Sequence, residues 1–456
     1  MGEELVSVVY SGDKDFMNHY DEIEFNGKVT DDDKSANVFD KQRPPNASDP
    51  KTADSLIAAQ MTKLSIADRE KAYMDIHGIS EDAQETPELI QESLLLLQNE
   101  INLLPDKKAY IIAGQLDPKY TQDRDFCLAF LRCEKFDCQK AALRIVRHFQ
   151  MKLDLFGQDK LATDITQDDL DMDDMDALYS GAGRFLNAYD SAGRVINFVV
   201  GKPNKFKTDA VLRKGFYNIM VAFRDNAEIQ RRGAVTVGWT VGDVKGTSGD
   251  DNDLAWKLPK LNEGSPMRIS ALHLCYTDDG WKEDRLALMR SGLNKQLIVR
   301  VRVHHGTMHE CLQHLRRHGI VPACIPVNEH GEITDHLEHC RQLEQQRKHE
   351  RLKYPLRHSI AVPSPQDVLL GKGTPFQNHP GNKKLRQVVV DRYKEYEKAQ
   401  KGFKRLIVKE IVDLIRGNGA LFLKQDGKKW VPANDEVAML KVSAAFRTLR
   451  RKGGVQ

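Results

Sequence analysis

The amino-acid sequence predicts an α/β protein, in which a small helical lobe precedes a mainly parallel sheet covered by helices and a small α+β domain follows. Three observations support this fold class. Apolar residues recur at helical spacing between residues 87 and 149. Strand-like and helix-like segments alternate from residue 194 to residue 318, which favours a parallel sheet. The last hundred residues follow the order helix, helix, hairpin, helix and are strongly basic.

Composition sets the class of protein before any motif is considered. The chain has 456 residues, of which 40% are apolar and 29% charged, enough for packed cores in more than one domain. No segment has the roughly 18–20 consecutive apolar residues of a membrane-spanning helix, and the N-terminal residues lack the apolar core of a secretion signal. The seven scattered cysteines form no Cys-x-x-Cys pair, which favours free thiols in a reducing compartment. We therefore expect a cytoplasmic protein, with the nucleus as the alternative.

The first half of the chain divides into two regions. Residues 1–85 are polar and weakly periodic, so we expect them to be largely disordered, with room for a helix within residues 52–73. The helical lobe is predicted at residues 86–152. Its helices are expected at residues 87–103, 123–132 and 137–149, with Asp137 as an N-cap after a break at residues 133–136.

The sheet domain is predicted at residues 153–333. Strands are expected at residues 194–200, 234–241, 268–276 and 298–303, and helices at residues 209–223, 283–297 and 308–318. Residues 334–365 are predicted to be a charged connector, made of a solvent-exposed helix at residues 336–353 and a proline-containing linker. The Asp-rich segment 168–176 lacks the glycine and closing glutamate of a calcium loop, so we expect it to be solvated.

A family resemblance lies in the helical lobe, where residues 130–141 have the sequence FLRCEKFDCQKA. This resembles the Phe-Leu-Arg-Ala-Arg-Lys-Phe-Asp signature of the CRAL-TRIO family of eukaryotic lipid-transfer proteins, and residues 266–274 resemble its Pro-x-Arg strand. The resemblance covers about residues 88–333. It implies a sheet floor and helical walls around an apolar cavity that a gate helix closes. The function it implies is binding or transfer of a phospholipid-like ligand, with transient contact with a membrane surface and no catalysis.

The resemblance also places candidate ligand-binding residues. The gate helix falls by position at residues 281–297, and its inward residues would be Leu286, Leu288, Met289 and Leu293. Arg300 and Arg302 are the cations available for a lipid headgroup. The family's acidic partner for such a cation and its final Pro-x-x-Phe-Gly-Gly motif are not recognisable here, which leaves the headgroup undetermined. The alternative for these residues is the ordinary core of an α/β sheet.

The C-terminal domain is predicted at residues 366–452. Between residues 355 and 456 the chain carries 21 Lys+Arg and 9 Asp+Glu, a balance of +12, whereas the other residues have a balance of −10. Helices are expected at residues 383–397, 403–415 and 435–450, and Asp426-Gly427 predicts a hairpin. The sequences DVLLGKGT at residues 367–374 and NHPGN at residues 378–382 resemble the mark of a domain of unknown function found in diatom proteins, over about residues 367–451. That resemblance implies no activity.

Two interpretations of the C-terminal domain remain open. The signature loop either orders a turn, with Asn382 capping a helix, or belongs to a polyanion-binding surface that attracts nucleic acid or an acidic membrane. The loop residues are Gly371, Lys372, Gly373, Asn378, His379, Pro380, Gly381 and Asn382. The polyanion-binding candidates are Lys383, Lys384, Arg386, Lys404, Arg405, Lys428, Lys429, Trp430, Arg447 and Arg450. The glycines lack the spacing of a phosphate-binding P-loop.

The remaining patterns argue against an enzyme. Histidines are dense between residues 304 and 318, and His314 and His318 share a helix face, but no further ligand completes a zinc pattern, so we expect no metal. No nucleophile elbow or dinucleotide fingerprint is present in the sequence, so we expect no catalytic residues and no cofactor other than a bound lipid.

The leading hypothesis is a non-catalytic lipid binder that its basic domain tethers to an anionic partner. The alternative is a nuclear DNA-binding regulator whose sheet domain is a ligand sensor or a scaffold. The sequence leaves the oligomeric state undetermined.

Overall fold

The computed structural model describes residues 62–79, 84–200, 206–241, 257–277, 295–354, 359–427, 429–451 and a few single residues. The helices are α1 (Ile66–His77), α2 (Pro87–Leu103), α3 (Lys108–Leu116), α4 (Pro118–Thr121), α5 (Arg124–Cys133), α6 (Cys138–Phe156), α7 (Met172–Tyr179), α8 (Thr208–Phe223), α9 (Ala227–Arg232), α10 (Lys295–Ile298), α11 (Met308–Arg317), α12 (His336–Lys353), α13 (Thr374–Asn378), α14 (Pro380–Asp391), α15 (Tyr393–Lys398), α16 (Lys401–Gly417) and α17 (Asp435–Arg451). The strands are β1 (Arg184–Tyr189), β2 (Val195–Val200), β3 (Ala234–Val241), β4 (Ile269–Thr277), β5 (Val301–Gly306), β6 (Val368–Leu370), β7 (Phe422–Asp426) and β8 (Lys429–Pro432). None of the described helices is long and apolar enough to cross a bilayer.

A five-stranded sheet has the order β1-β2-β3-β4-β5, in which β1 is antiparallel to β2 and the other neighbours are parallel. The predicted mixed α/β fold with a mainly parallel, helix-covered sheet is therefore confirmed. Residues paired in register share a face. We call the face that carries Val199, Gly238, Leu274 and Val303 the front face. The back face carries the adjacent row, Val200, Trp239, Cys275 and His304.

Different elements cover the two faces. At the start of the strands, Val195 and Ala234 of the front face join a core built mainly from α8 with residues of α6 and α7. On the back face, Cys311 and Leu315 of α11 pack against Val237, Trp239 and Cys275, and Ile76 of α1 joins the same core. The sheet is therefore closed by α11 and α1 on the back, while the described helices leave the middle of the front face only partly covered.

The helical lobe has the predicted helices and a core of its own along α2, α3, α5 and α6. Arg132, in the CRAL-TRIO-like segment, donates bidentately to Glu85 at 2.8 and 2.9 Å and to the Gln230 amide oxygen at 2.8 Å. Because Gln230 lies on α9, this arginine ties the lobe to the sheet domain. Lys135 and Phe136 both have positive φ (53° and 64°), the conformation that turns the chain between α5 and α6.

Part of the predicted N-terminal region, residues 66–77, is helical. Helix α1 begins with a capping box made by Ser65 and Asp68 and ends at Gly78, whose φ is 66°. Asp75 of α1 is buried and forms ion pairs with Arg300 at 2.5 Å, Arg268 at 3.5 Å and Lys135 at 3.9 Å. Helix α1 overlaps the helix expected within residues 52–73, so the expectation of a largely disordered region does not hold for residues 66–77, where Ile76 and Asp75 hold the helix on the sheet.

The charged connector is also partly buried. Helix α12 occupies residues 336–353 as predicted, but Leu343, Arg347, Glu350 and Arg351 are buried. Asp168, expected in a solvated acidic segment, is only 2% exposed and accepts hydrogen bonds from Arg347 at 2.9 Å and Arg351 at 2.8 and 2.9 Å. Both expectations of solvation were wrong, because the arginines and the aspartate neutralise one another inside the fold.

The C-terminal domain contains a three-stranded sheet with the order β6-β7-β8 and the helices α13 to α17. The predicted hairpin is confirmed, since β7 and β8 are antiparallel around Gly427. Strand β6 was not predicted and pairs parallel with β7. Val389, Ile411 and Val442 bring α14, α16 and α17 into one core with Phe422 of β7.

Candidate functional sites

Most of the predicted gate lies outside the described residues. Leu286, Leu288 and Met289 belong to that part, so their positions remain predictions. Leu293 is described and is 4% exposed. It packs with Leu297 and Ile298 against Leu272, Leu274 and Tyr276 of β4 and Val301 of β5. The described end of the predicted gate therefore forms an apolar wall over the β4–β5 side of the front face.

Beside this wall, the middle of the front face is only half-buried. Asn197, Val199 and Gly238 are partly exposed, and Val199 belongs to none of the apolar clusters of described residues. Asn197 donates to the Thr236 hydroxyl at 3.3 Å, so the two polar side chains here are each other's partners. The result is a floor of aliphatic and hydroxyl-bearing residues between the α8 core and the wall formed by Leu293 and its neighbours.

The two candidate headgroup arginines have different environments. Arg300 is bound at 2.5 Å to Asp75, a buried carboxylate that also pairs with Arg268 and Lys135. Arg302 pairs in register with His273, which places it on the back face, away from the apolar wall. It donates to the carbonyls of Val299 and Val301 at 3.1 and 2.8 Å, and burial lowers its pKa. Neither guanidinium is brought to the half-buried floor.

The buried part of the signature loop holds the C-terminal domain together. Asn382 accepts from the Leu369 amide at 2.8 Å and donates to the Leu369 carbonyl at 2.9 Å. It is therefore a clamp on β6, and the prediction that it caps a helix is wrong, because α14 begins two residues earlier. Gly381 packs so tightly that a Cβ there would lie 2.0 Å from the carbonyl oxygen of Asp367. These contacts favour the ordering interpretation for both residues.

Asp367 links the loop to the rest of the protein. Its carboxylate accepts from Arg351 at 2.7 and 3.1 Å and from the amides of Ser364 and Leu421 at 2.7 and 2.8 Å. Arg351 also binds Asp168, so one buried guanidinium bridges the sheet domain and the C-terminal domain. Burial alone would raise the pKa of Asp168, but the hydrogen bonds and charges of Arg351 and Arg347 outweigh it and lower this pKa. We call Asp168, Arg347, Arg351 and Asp367 the junction.

The other loop residues are nearer the surface. Gly371, Lys372, Gly373, Asn378 and Pro380 are exposed. Gly373 has a φ of 100°, a conformation that favours glycine. His379 is half-buried before α14, and burial lowers its pKa. Within the signature segment, therefore, Asp367, Gly381 and Asn382 are among the buried residues.

The basic candidates divide into paired and exposed side chains. Arg450 binds Glu397 at 2.6 Å, and Lys404 lies over the ring of Tyr396 at 5.2 Å. Arg386 donates to the Gln377 carbonyl at 2.7 Å, and Lys384 donates to the Gln366 side chain at 3.1 Å. Lys372, Lys383, Arg405, Lys429 and Arg447 are exposed and have no carboxylate partner among the described residues, whereas Lys428 lies outside them.

Sequence reasoning missed one basic residue at the loop. Lys441 of α17 donates to the Leu369 carbonyl at 3.1 Å. Its pKa is lowered by burial and by the nearby positive charge of Arg386. Two cations from different helices therefore lie close together beside β6. The exposed Lys372 and Lys383 come from the same loop and from the first turn of α14.

Trp430 has a structural environment. Its backbone exchanges hydrogen bonds with Ile360 at 2.7 and 2.9 Å, and it packs in a small cluster with Ile360, Leu369 and Leu423. Its ring meets Phe376 edge-on at 6.3 Å. Being only partly buried, the indole leaves some surface to solvent.

The structure also brings together residues that the sequence did not associate. One cleft of about 580 Å³, open to solvent, is lined by Tyr189, Asn226, Arg232 and neighbouring residues, and none of the residues predicted for ligand binding lines it.

Among the histidines, His304 and His318 do converge, but with His273 of β4, which sequence reasoning passed over. His305 and His309 are exposed. All seven cysteines are free, as expected.

Comparison with known proteins identifies only the C-terminal part. Residues 367–448 match the family described as Domain of unknown function (DUF6824). This confirms a C-terminal domain of unknown function, while the CRAL-TRIO-like region has no family match. None of the curated proteins matches the chain. The protein is thus a mixed α/β chain that carries a DUF6824 domain, and the family's description gives no activity.

Proposed function

We propose that this protein binds a hydrophobic ligand of the phospholipid class on the front face of its five-stranded sheet, without converting it chemically. The observation that carries the proposal is the half-buried floor at Asn197, Val199 and Gly238 beside the apolar wall at Leu293. A sheet face that only filled a core would be covered along its length, as the back face is. The CRAL-TRIO-like segment at residues 130–141 supports the same conclusion, and membership of that family is part of the proposal.

The energetics of such a floor favour a long apolar ligand. Each CH2 group removed from water contributes about 0.8 kcal/mol, so an acyl chain gains enough on an apolar surface to leave a bilayer. The polar side chains at the floor, Asn197 and Thr236, bind each other, so burying them under a ligand leaves few unsatisfied groups. Loading and release would take place in transient contact with a membrane surface, in the cytoplasm or the nucleus.

The test uses mass spectrometry of organic extracts from purified full-length protein after incubation with phospholipid vesicles. Val199→Trp places an indole on the floor and is expected to lower the bound lipid at least about ten-fold, because the side chain occupies the apolar surface. Val321→Trp is the matched control, since Val321 is 56% exposed and lies elsewhere. It is expected to retain one lipid per chain, as the wild type does.

Two results would overturn the proposal. A folded wild-type protein that carries no lipid after incubation would exclude lipid binding. Equal lipid in Val199→Trp and Val321→Trp would show that the ligand does not lie on the floor. Circular dichroism of each variant separates loss of ligand from loss of fold.

A second candidate, binding of a polyanion such as DNA through the C-terminal domain, rests on a different observation. Arg386 and Lys441 lie close together at the signature loop, and the exposed Lys372 and Lys383 are nearby in sequence. Cations without carboxylate partners release counterions from phosphates when they bind nucleic acid. The protein would then be a nuclear regulator whose sheet domain senses a ligand.

Fluorescence anisotropy with a random 20-base-pair duplex tests this candidate. The double variant Lys372→Gln and Lys383→Gln should weaken binding and reduce the salt slope by about two, since each phosphate contact contributes about 0.9. Lys409→Gln, at an exposed position on α16, is the control. No binding at low salt, or an equal loss in Lys409→Gln, would exclude a DNA site at the loop.

A further inference from the structure

Three histidines from three different elements meet on the back face of the sheet. His273 lies on β4, His304 on β5 and His318 directly after α11. One ring nitrogen from each lies within 4.8 Å of the other two. His273 Nδ1 and His304 Nε2 are 2.9 Å apart, and the two rings are nearly parallel. We call these three residues the histidine cluster.

The cluster is buried but not satisfied. His273 is fully buried and His304 is 7% exposed, yet His273 Nε2 and His318 Nδ1 have no hydrogen-bond partner. A buried polar atom without a hydrogen-bond partner destabilises a fold by about 1–3 kcal/mol, so two such atoms are unfavourable in a core that has no other use for them. Because His318 is half-buried, the cluster also has a route to solvent.

The charge state of the rings suits a metal. Burial lowers the pKa of His273 to about 2 and that of His304 to about 4, and it lowers the pKa of His318. A neutral imidazole is the form that offers a nitrogen lone pair to a cation. The 2.9 Å contact between two rings also requires at least one of them to be neutral.

Further titratable and charged groups face the cluster from the elements packed around it. His314 of α11 stacks on His304 at 5.4 Å, and His77 at the end of α1 stacks on His318 at 5.8 Å. Two cations, Arg194 and Arg302, also act on His273 and lower its pKa. Arg194 is neutralised by Asp190 at 2.5 Å, whereas Arg302 donates only to backbone carbonyls in its described contacts. Arg302 is therefore the group expected to oppose a bound cation.

We propose that His273, His304 and His318 form a binding site for a divalent transition-metal ion of the class that prefers imidazole, with Zn²⁺ as its representative. Three nitrogen ligands and no carboxylate suit zinc, copper or nickel and do not suit calcium or magnesium, which prefer oxygen. Tetrahedral zinc holds nitrogens at about 2.0–2.1 Å, so the rings have to draw closer around the ion. The fourth position would be open to water on the His318 side.

The experiment is isothermal titration of ZnCl₂ into full-length protein that has been treated with a chelator and dialysed. The wild type is expected to bind one ion per chain. His318→Ala removes a half-buried ligand and should weaken binding at least about ten-fold, and His304→Asn is the second ligand variant. His309→Ala, an exposed histidine on α11, is the matched control and should bind as the wild type does.

A further variant separates a metal site from adventitious binding to surface histidines. Arg302→Gln removes the opposing positive charge, so zinc should bind more tightly, and Co²⁺ bound in its place should show the intense visible absorption of four-coordination. The proposal is overturned if the folded wild type binds no zinc. It is also overturned if His309→Ala weakens binding as much as His318→Ala, or if neither His318→Ala nor His304→Asn changes it.

Discussion

The junction and the histidine cluster both bury several ionisable groups, but only the junction gives all of these groups hydrogen-bond partners. At the junction, Asp367 accepts four hydrogen bonds from Arg351 and two backbone amides, and Asp168 accepts hydrogen bonds from both arginines. In the histidine cluster, two buried ring nitrogens have no partner. The first region is complete as it stands, whereas the second has nitrogen atoms left for the ion that we propose it binds.

The difference gives a criterion for separating scaffold from site in this protein. Burying a charge is costly unless opposite charges and hydrogen bonds compensate for it, so a fully compensated set is fixed in place and has no capacity left for a ligand. A buried set with unused lone pairs has that capacity. By this criterion Asp367, Gly381 and Asn382 are structural, and the histidine cluster is the proposed site.

The largest effect is expected from breaking the junction. Asp367→Ala leaves part of the Arg351 charge buried without its partner and should lower the free energy of unfolding by about 3–5 kcal/mol. Chemical denaturation measures this loss. Asp426→Ala, at an exposed hairpin residue, should change the stability by no more than about 0.5 kcal/mol. A loss below about 1 kcal/mol in Asp367→Ala would show that the ion pairs of the junction contribute as little to stability as solvent-screened ones.

A smaller effect is expected at the tight contact beside the junction. Gly381→Ala puts a Cβ against the Asp367 carbonyl and should destabilise by about 1–3 kcal/mol, because the backbone has to shift. Gly402→Ala is the comparison variant in the same domain and should have the opposite effect on stability. Nothing lies within 4 Å of its Cβ, so alanine in α16 should stabilise by about 0.5–1 kcal/mol. Equal effects at the two glycines would contradict the close packing of the signature loop.

Stability should also depend on pH through a buried histidine outside the cluster. His148 is fully buried, its Nδ1 lies 3.0 Å from the Gly264 carbonyl, and burial lowers its pKa to about 3. The unfolded chain binds the proton at the ordinary histidine pKa, so this contribution is complete above about pH 6.5 and is lost as the pH falls toward 3. The slope is at most about 1.4 kcal/mol per pH unit for one group.

Urea unfolding at pH 7 and pH 5 measures this slope. His148→Gln should reduce the difference between the two pH values, while His330→Gln, at an exposed position, should leave it unchanged. An unchanged slope in His148→Gln would mean that His148 takes up its proton without unfolding. Since His148 belongs to no group of candidate metal ligands among the described residues, neither variant should alter zinc binding, which keeps this histidine distinct from the cluster.

Periodicity predicted most of the fold because apolar spacing reports directly on which face of an element is buried. It located β2, β3, β4, α8 and α12 to within one residue. It missed β1 and β6, since a three-residue strand such as β6 has too few residues to show a period and is defined only by its pairing with β7. It also misjudged Asp75 and Asp168, because a charged residue in the sequence carries no sign of the buried partner that neutralises it.

The candidate sites were harder to predict for a related reason. His273 stands alone in an otherwise apolar strand, and its partners are 31 and 45 residues away, so only the register of β4 with β5 and the position of α11 bring them together. The dense histidines of residues 304–318 gave a signal, but only His304 and His318 of those five converge, and the third member of the set, His273, lies outside that segment. The half-buried floor could be inferred from the family resemblance, whereas Arg300 proved to be paired with Asp75.

Thermal unfolding with and without zinc, in three proteins, tests the distinction between scaffold and site most directly. At a zinc concentration about 100 times the dissociation constant, binding should stabilise the wild type by about 2.7 kcal/mol. Arg351→Met should unfold at a lower temperature but keep the zinc-induced increase, and His318→Ala should lose that increase. An increase that persists in His318→Ala, or that is absent from the wild type, would contradict the account.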